Sequence, residues 1–180
     1  KARFAPVTAT ASLDAQLLLA QVLNVSRAHV IAHRERVLTD DEITRYEALV
    51  KRREQGEPIA YIIGKRAFYD REFIVSPAVL IPRPETEHLV EIALEFGQKK
   101  QALSAVDVGT GSGAIIVTLK ANLPHMTAYA TDISPEALSI AGENATLNDT
   151  HIAFYAGDLL QPIIEQGITV DLINANLPYI

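Results

Sequence analysis

The sequence predicts an α/β fold, a doubly wound and mostly parallel sheet with a small N-terminal helical domain. Two observations carry the sheet. From Ala102 onward, short apolar runs alternate with segments of helical period, the pattern of βαβ units with right-handed crossovers. A glycine-rich turn, Gly109 to Gly113, joins the first of those runs to its helix. A third observation sets off the N-terminal part, where the apolar spacing is helical up to about Ile74. The expected organisation is a helical domain over 1–74, a hairpin or linker over 75–100, and the sheet domain over 101–180.

Composition narrows the classes. The chain has 180 residues, 48% hydrophobic and 21% charged, which is ordinary globular usage and speaks against disorder or low complexity. The absence of cysteine excludes disulfides, thiolate metal sites and a cysteine nucleophile. A net charge of −6 argues against wrapping a long phosphate backbone, although a local basic patch stays open. No apolar run approaches the ~20 residues that span a bilayer, and no signal peptide is visible, so a cytoplasmic location is expected. Lys1 stands first instead of Met, and Ile180 ends an apolar run without a cap. The sequence therefore reads as a fragment whose sheet continues C-terminally.

The helical part has two well-marked helices. Ser12 suits a cap before Leu13, Leu17, Ala20 and Leu23. Thr39 with Glu42 forms a capping-box pattern before Ile43, Tyr46, Leu49 and Val50, and Gly56 and Pro58 end that helix. Lys51, Arg52, Arg53, Lys65 and Arg66 make a local basic bias that reads as cations near a helix C-terminus. Phe68, Tyr69, Phe73, Ile74 and Val75 have strand composition, and Val79 to Ile81 is a second strand candidate. Pro82-Arg83-Pro84 then stiffens the chain, and Pro84 suits the first turn of a helix through Leu89, Val90, Ile92, Ala93 and Phe96. A rigid segment of this kind presents Arg83 and Glu85 as a charged pair at a pocket. In the last part, strands are expected at Ala105–Val108, Ala128–Thr131, Ile152–Tyr155 and Val170–Asn174. Helices are expected at Ala114–Ala121 and Pro135–Asn144, the second capped by Ser134.

Chemistry concentrates in the loops after these strands. Gly109-Thr110-Gly111-Ser112-Gly113 has glycine at alternate positions, so the backbone can approach a ligand closely, with a helix N-terminus behind it. Asp132 ends the second strand, 19 residues after Gly113, where a carboxylate accepts from both ribose hydroxyls of an adenosyl ligand. Asp158 and Leu159, after the third strand, suit the adenine amine and ring face; a plain turn accounts for them equally. Asn176-Leu177-Pro178-Tyr179 ends the fourth strand. There the Asn176 side-chain oxygen and the Leu177 carbonyl can together accept both hydrogens of a target –NH₂. Tyr179 offers a flat face to a planar amide or base. His29, His33, His88, His125 and His151 lack metal-ligand spacing, so no metal is expected.

These motifs resemble a class I S-adenosylmethionine-dependent methyltransferase acting on an amino nitrogen. With Leu80 to Glu87 (Leu-Ile-Pro-Arg-Pro-Glu-Thr-Glu), the segment from Gly64 to Phe73 and the helical domain, the chain is similar to the HemK/PrmC family. The resemblance implies methylation of the side-chain amide of the glutamine in the Gly-Gly-Gln motif of peptide chain release factors. It implies S-adenosyl-L-methionine as cofactor and S-adenosyl-L-homocysteine as product. It assigns cofactor binding to Gly109, Thr110, Gly111, Ser112, Gly113, Asp132, Asp158, Leu159 and Asn176. Substrate binding falls to Asn176, Leu177, Pro178 and Tyr179, the catalytic set, joined by Arg83 and Glu85, and partner docking to the helical domain. A monomer without direct nucleic-acid contact is expected. One departure is Leu177, where the family usually has proline; it supplies the same backbone carbonyl without the φ restraint. That Asn-Leu-Pro-Tyr spelling also resembles ribosomal-RNA adenine dimethyltransferases, which leaves an RNA adenine substrate as the alternative. Two further rivals are a non-catalytic release-factor-binding module and an NAD-dependent oxidoreductase, because Gly109 to Ala114 also fits G-x-G-x-x-A.

Overall fold

A computed structural model describes residues 8–177 and divides into two compact units, Lys1–Gly64 and Lys65–Ile180. The first contains α1 (Ala11–Leu23), α2 (Arg27–Ala32), α3 (Asp40–Glu54) and α4 (Ile59–Ile63). Its core is small: Ala11, Leu18, Val50 and Ile62, packed by Tyr46, Leu49 and Ile59 among others. The Thr39–Glu42 capping box forms in full at the start of α3. The cap of α1 differs from the expected Ser12. Thr10 holds that position, and its hydroxyl donates to Asp14 Oδ1 (3.0 Å) rather than accepting from the helix backbone. The buried face of α1 is correspondingly shifted, with Ala11, Asp14, Leu18 and Val22 inside beside the expected Ala20, and Leu13 exposed. The cause lies 39 residues away, where Arg53 Nε donates to Asp14 Oδ2 (2.8 Å) and draws the carboxylate into the helix interface.

The second unit opens with an antiparallel hairpin, β1 (Lys65–Phe68) and β2 (Arg71–Ile74), turned at Tyr69 and Asp70. Register pairs place Phe68 and Phe73 on one face, fully buried and edge to face at 6.0 Å between centroids. Truncating either to alanine would cost about 3–5 kcal/mol. The expected strand at Val79 to Ile81 does not form. Ser76 begins a turn that Val79 N–H closes onto its carbonyl (3.1 Å), and prolines at 77 and 82 remove ladder donors on both sides. A short 3₁₀ turn, Pro84–Thr86, leads into α5 (Glu87–Gln98).

The remainder alternates strand and helix: β3 (Ser104–Val108), α6 (Ala114–Asn122), β4 (Thr127–Asp132), α7 (Pro135–Leu147), β5 (Ala153–Ala156), α8 (Gln161–Glu165) and β6 (Leu172–Ala175). The four strands are parallel in the order β5-β4-β3-β6. The chain winds from β3 toward β5, then returns to place β6 on the other side of β3. The β3–β6 boundary is therefore a topological switch point, and an open α/β sheet binds ligands there, beyond its strand C-termini. One face of the sheet packs Ala105, Ala128 and Ala130 under α5, α6 and the hairpin phenylalanines. The other packs Val106 and Val108 with Tyr129, Tyr155 and Ile163.

Candidate active site

Both chains of residues that flank the switch point end in loops singled out by sequence. β3 runs into Gly109 to Gly113, and β6 runs into Asn176 and Leu177. Gly109, Gly111 and Gly113 take φ of +65°, +56° and +77°, a left-handed path closed to most side chains. At Gly113 a Cβ would also press Ala141 of α7 at 3.1 Å. The two intervening side chains turn inward. Thr110 Oγ1 donates to Asp107 Oδ2 (2.7 Å), and Ser112 is buried. The glycine backbone is thereby left to face the crevice, at the start of α6, where first-turn N–H groups have no acceptor of their own helix.

Asp132 braces this loop from β4. Its Oδ2 accepts from Gly111 N–H (2.8 Å) and its Oδ1 from Ser134 N–H (2.9 Å). Ser134 caps α7, as expected, by accepting from Ala137 N–H (3.2 Å). Each carboxylate oxygen has two acceptor positions, so Asp132 retains capacity for a pair of hydroxyls. Beside it lies a cavity of about 320 Å³ lined by Gly109, Gly111, Asp132, Asp158, Leu159 and Asn176, among others. Leu159 has φ +48° and is half-exposed, an apolar side chain at the rim. A second cavity, about 710 Å³, is lined by Leu80, Arg83, Glu85, Thr86, Leu89 and Asn176, with Ala175 and Leu177. Asn176 and Leu177 border both. Pro178 and Tyr179 lie outside the described residues.

Several residues at the site escaped sequence reasoning. Asn176 Nδ2 donates to Thr86 Oγ1 (3.1 Å), so the Pro-Arg-Pro-Glu-Thr segment reaches the strand-end asparagine directly. Asn144 of α7 is wholly buried and bridges three backbone groups. It accepts from Ile74 N–H (2.7 Å) and donates to the Ile74 and Ser112 carbonyls (2.9 Å each). Asp107 lies directly beneath the glycine loop. Burial pushes its carboxyl up to about 7; the Thr110 hydroxyl opposes that and the charge of Asp132 adds to it. A carboxylate in an apolar strand one residue before a glycine loop was the available signal for Asp107. Asn144, in a helix otherwise read for its apolar face, had none.

The donor set suits an adenosyl sulfonium ligand. Asp132 and Asp158 bring two carboxylates, which can accept from hydroxyls or an amine, to the wall of one cavity, and the glycine loop leaves open space there at Gly111. Family comparison agrees. Residues 1–64 match the PrmC N-terminal domain, and residues 88–179 match the methyltransferase small domain. A release factor glutamine methyltransferase from Koribacter versatilis is 49% identical over 173 residues, 96% of this chain and 61% of the relative. Its counterpart from Bacillus subtilis is 44% identical over 170 residues, 92% of this chain and 59% of the relative. The chain thus spans about 60% of the length of these relatives. Among solved structures, a SAM-dependent methyltransferase from Agrobacterium tumefaciens aligns with a TM-score of 0.51 at 18% identity. The alignment covers 62% of this chain and 38% of that one. A METTL16 methyltransferase domain aligns with the same TM-score at 21% identity, over 59% of this chain and 51% of that one. Both likenesses are of fold.

Proposed function

The chain belongs to the HemK/PrmC family, and on that footing we propose that the whole protein methylates the side-chain amide of the glutamine in the Gly-Gly-Gln motif of peptide chain release factors. The observation that carries this reading is the double border at Asn176. One side of it faces the cavity beside Asp132 and Asp158, and the other faces the cavity beside Arg83 and Glu85.

S-adenosylmethionine, when bound, supplies an electrophilic methyl on a sulfonium sulfur that keeps the electron pair as the C–S bond breaks and the N–C bond forms. The protein's part is orientation. The Gly109–Gly113 backbone, with Thr110 and Ser112 turned inward, would cradle the cofactor; Asp132 would take the ribose hydroxyls, and Asp158 and Leu159 would meet the adenine. An amide nitrogen is a poor nucleophile because its lone pair is delocalised. Asn176 Oδ1 and the Leu177 carbonyl accept its two hydrogens, aim the lone pair, and favour the positive charge that builds on the nitrogen. After transfer the methylated nitrogen gives one proton to solvent water, which leaves the neutral N-methyl amide. Arg83 and Glu85 line the substrate cavity, and Pro178 and Tyr179 complete the clamp. Acting on a translation factor, the protein would work in the cytoplasm, and as a monomer, since one chain carries every residue used here. No described helix is long and apolar enough to cross a membrane.

The test uses the whole protein with a release factor and S-adenosylmethionine, followed by peptide mapping by mass spectrometry. One added methyl on the Gly-Gly-Gln glutamine is expected. Asn176→Ala should lose it, at least 100-fold in rate, with cofactor affinity nearly intact. Cofactor binding without methylation would turn the reading toward an RNA adenine substrate or a non-catalytic module.

A further inference from the structure

Asn176 leaves the sheet at the end of β6, and its side chain is exposed, so the strand ladder does not decide which end of its amide faces the cavity. The two ends are chemically opposite. Oδ1 is an acceptor; Nδ2 carries two donors. A target –NH₂ brings donors of its own, so only the oxygen end can receive it, and a flipped amide would set donors against donors.

In the structure Thr86 meets the nitrogen end. Its backbone is fixed by the turn it closes: Arg83 is extended (φ −97°, ψ 144°), Pro84 follows with its restricted φ, and Thr86 N–H donates to the Arg83 carbonyl at 3.0 Å. Its hydroxyl is thereby held 3.1 Å from Asn176 Nδ2, across 90 residues of sequence, with both side chains on the wall of the 710 Å³ cavity. We propose that Thr86 is a positioning residue for the methyl-transfer reaction: by engaging the nitrogen end of the Asn176 amide, it holds Oδ1 toward the substrate –NH₂. This rests on the assignment of Asn176 as the clamp for an amide nitrogen. It gives the Pro-Arg-Pro-Glu-Thr segment a second task besides lining the substrate cavity, one that acts on orientation at the reacting nitrogen and leaves cofactor affinity alone.

The experiment compares Thr86→Val, which keeps the shape and removes the hydroxyl, with Thr86→Ser, which keeps the hydroxyl. Both are made in the whole protein and assayed on a release factor carrying the Gly-Gly-Gln motif. Thr86→Val should lower kcat roughly 10- to 100-fold, the scale of a lost orienting hydrogen bond at a reacting group. Its calorimetric Kd for S-adenosylmethionine and its Tm should stay close to wild type. Thr86→Ser should recover to within about threefold, because one hydroxyl acceptor is restored. Wild-type kcat in Thr86→Val overturns the proposal. So does equal impairment of the serine variant, or loss of cofactor affinity and Tm in step with kcat, which would mark a packing role. Wild-type protein that binds the cofactor yet leaves the release factor unmethylated overturns the clamp assignment as well. A methylating wild type beside an equally active Thr86→Val overturns the present inference alone.

Discussion

Both units bury polar groups that build the fold, Asp14 in the helical unit and Asn144 in the sheet unit, but the sheet unit also buries polar atoms that are left unpaired. In the helical unit Asp14 is buried with both oxygens engaged, Oδ1 by the Thr10 hydroxyl and Oδ2 by Arg53, whose Nη1 also donates to the Glu57 carbonyl. That network ties α1 to α3 across a small core. In the sheet unit, buried Asp107 Oδ1, Thr131 Oγ1 and Asn174 Nδ2, together with Arg66 Nε and Arg71 Nε of the hairpin, have no hydrogen-bond partner among the described residues. The first three lie one or two residues before a residue of the site: Asp107 before Gly109, Thr131 before Asp132, Asn174 before Asn176. Unpaired buried polarity is costly, and proteins tolerate it mostly where function asks for it. The contrast separates polarity that builds from polarity that surrounds a binding crevice.

Three substitutions break or sharpen that contrast. The largest effect is expected for Asp14→Ala, which strands the mostly buried Arg53 guanidinium. It should cost about 3–5 kcal/mol, read from the urea midpoint of the helical unit. A cost below about 1 kcal/mol would show that the network contributes little. Next comes Asn144→Ala, which orphans Ile74 N–H, the Ile74 carbonyl and the Ser112 carbonyl together. About 2–4 kcal/mol should be lost from the sheet unit, and cofactor affinity with it, since the loop loses a support. The third effect, of the same order, is a pH dependence. Asp107 holds its proton more tightly folded (about 7) than unfolded (3.8), so its contribution to stability is full below pH 3.8 and is lost as pH rises to about 7. Asp107→Asn has no proton to lose. Between pH 4 and 8 the stability difference should move toward the variant by on the order of a few kcal/mol. A difference that stays flat would mean that Asp107 is ionised in the fold without penalty.

How much of this could be read from sequence follows the range of the interactions. The Ser134 cap and the Thr39–Glu42 box are local: their partners lie within a few residues, and both are found as expected. The parallel sheet followed from alternation alone; its order, β5-β4-β3-β6, is seen only in the structure. The cap of α1 did not, because the Thr10 hydroxyl is claimed by a carboxylate that Arg53 pulls inward from another helix. Val79 to Ile81 looked like a strand by composition, but flanking prolines deny it a ladder, and Val79 is buried without one. Asn144 and Thr86 act on partners up to 70 and 90 residues distant, a separation that spacing rules do not reach. In the site, therefore, the loops were legible and their supports were not.

Asn144 has a consequence for how the protein is made. It serves Ile74 as a neighbouring strand would, from within a helix, and holds Ser112 by the same amide. During synthesis the hairpin and the glycine loop both leave the ribosome before it does. Until α7 has emerged and docked, β2 lacks that partner and the loop lacks its brace. The glycine loop is thus completed by a segment made after it, and a nascent chain gains that loop's support only when α7 has docked.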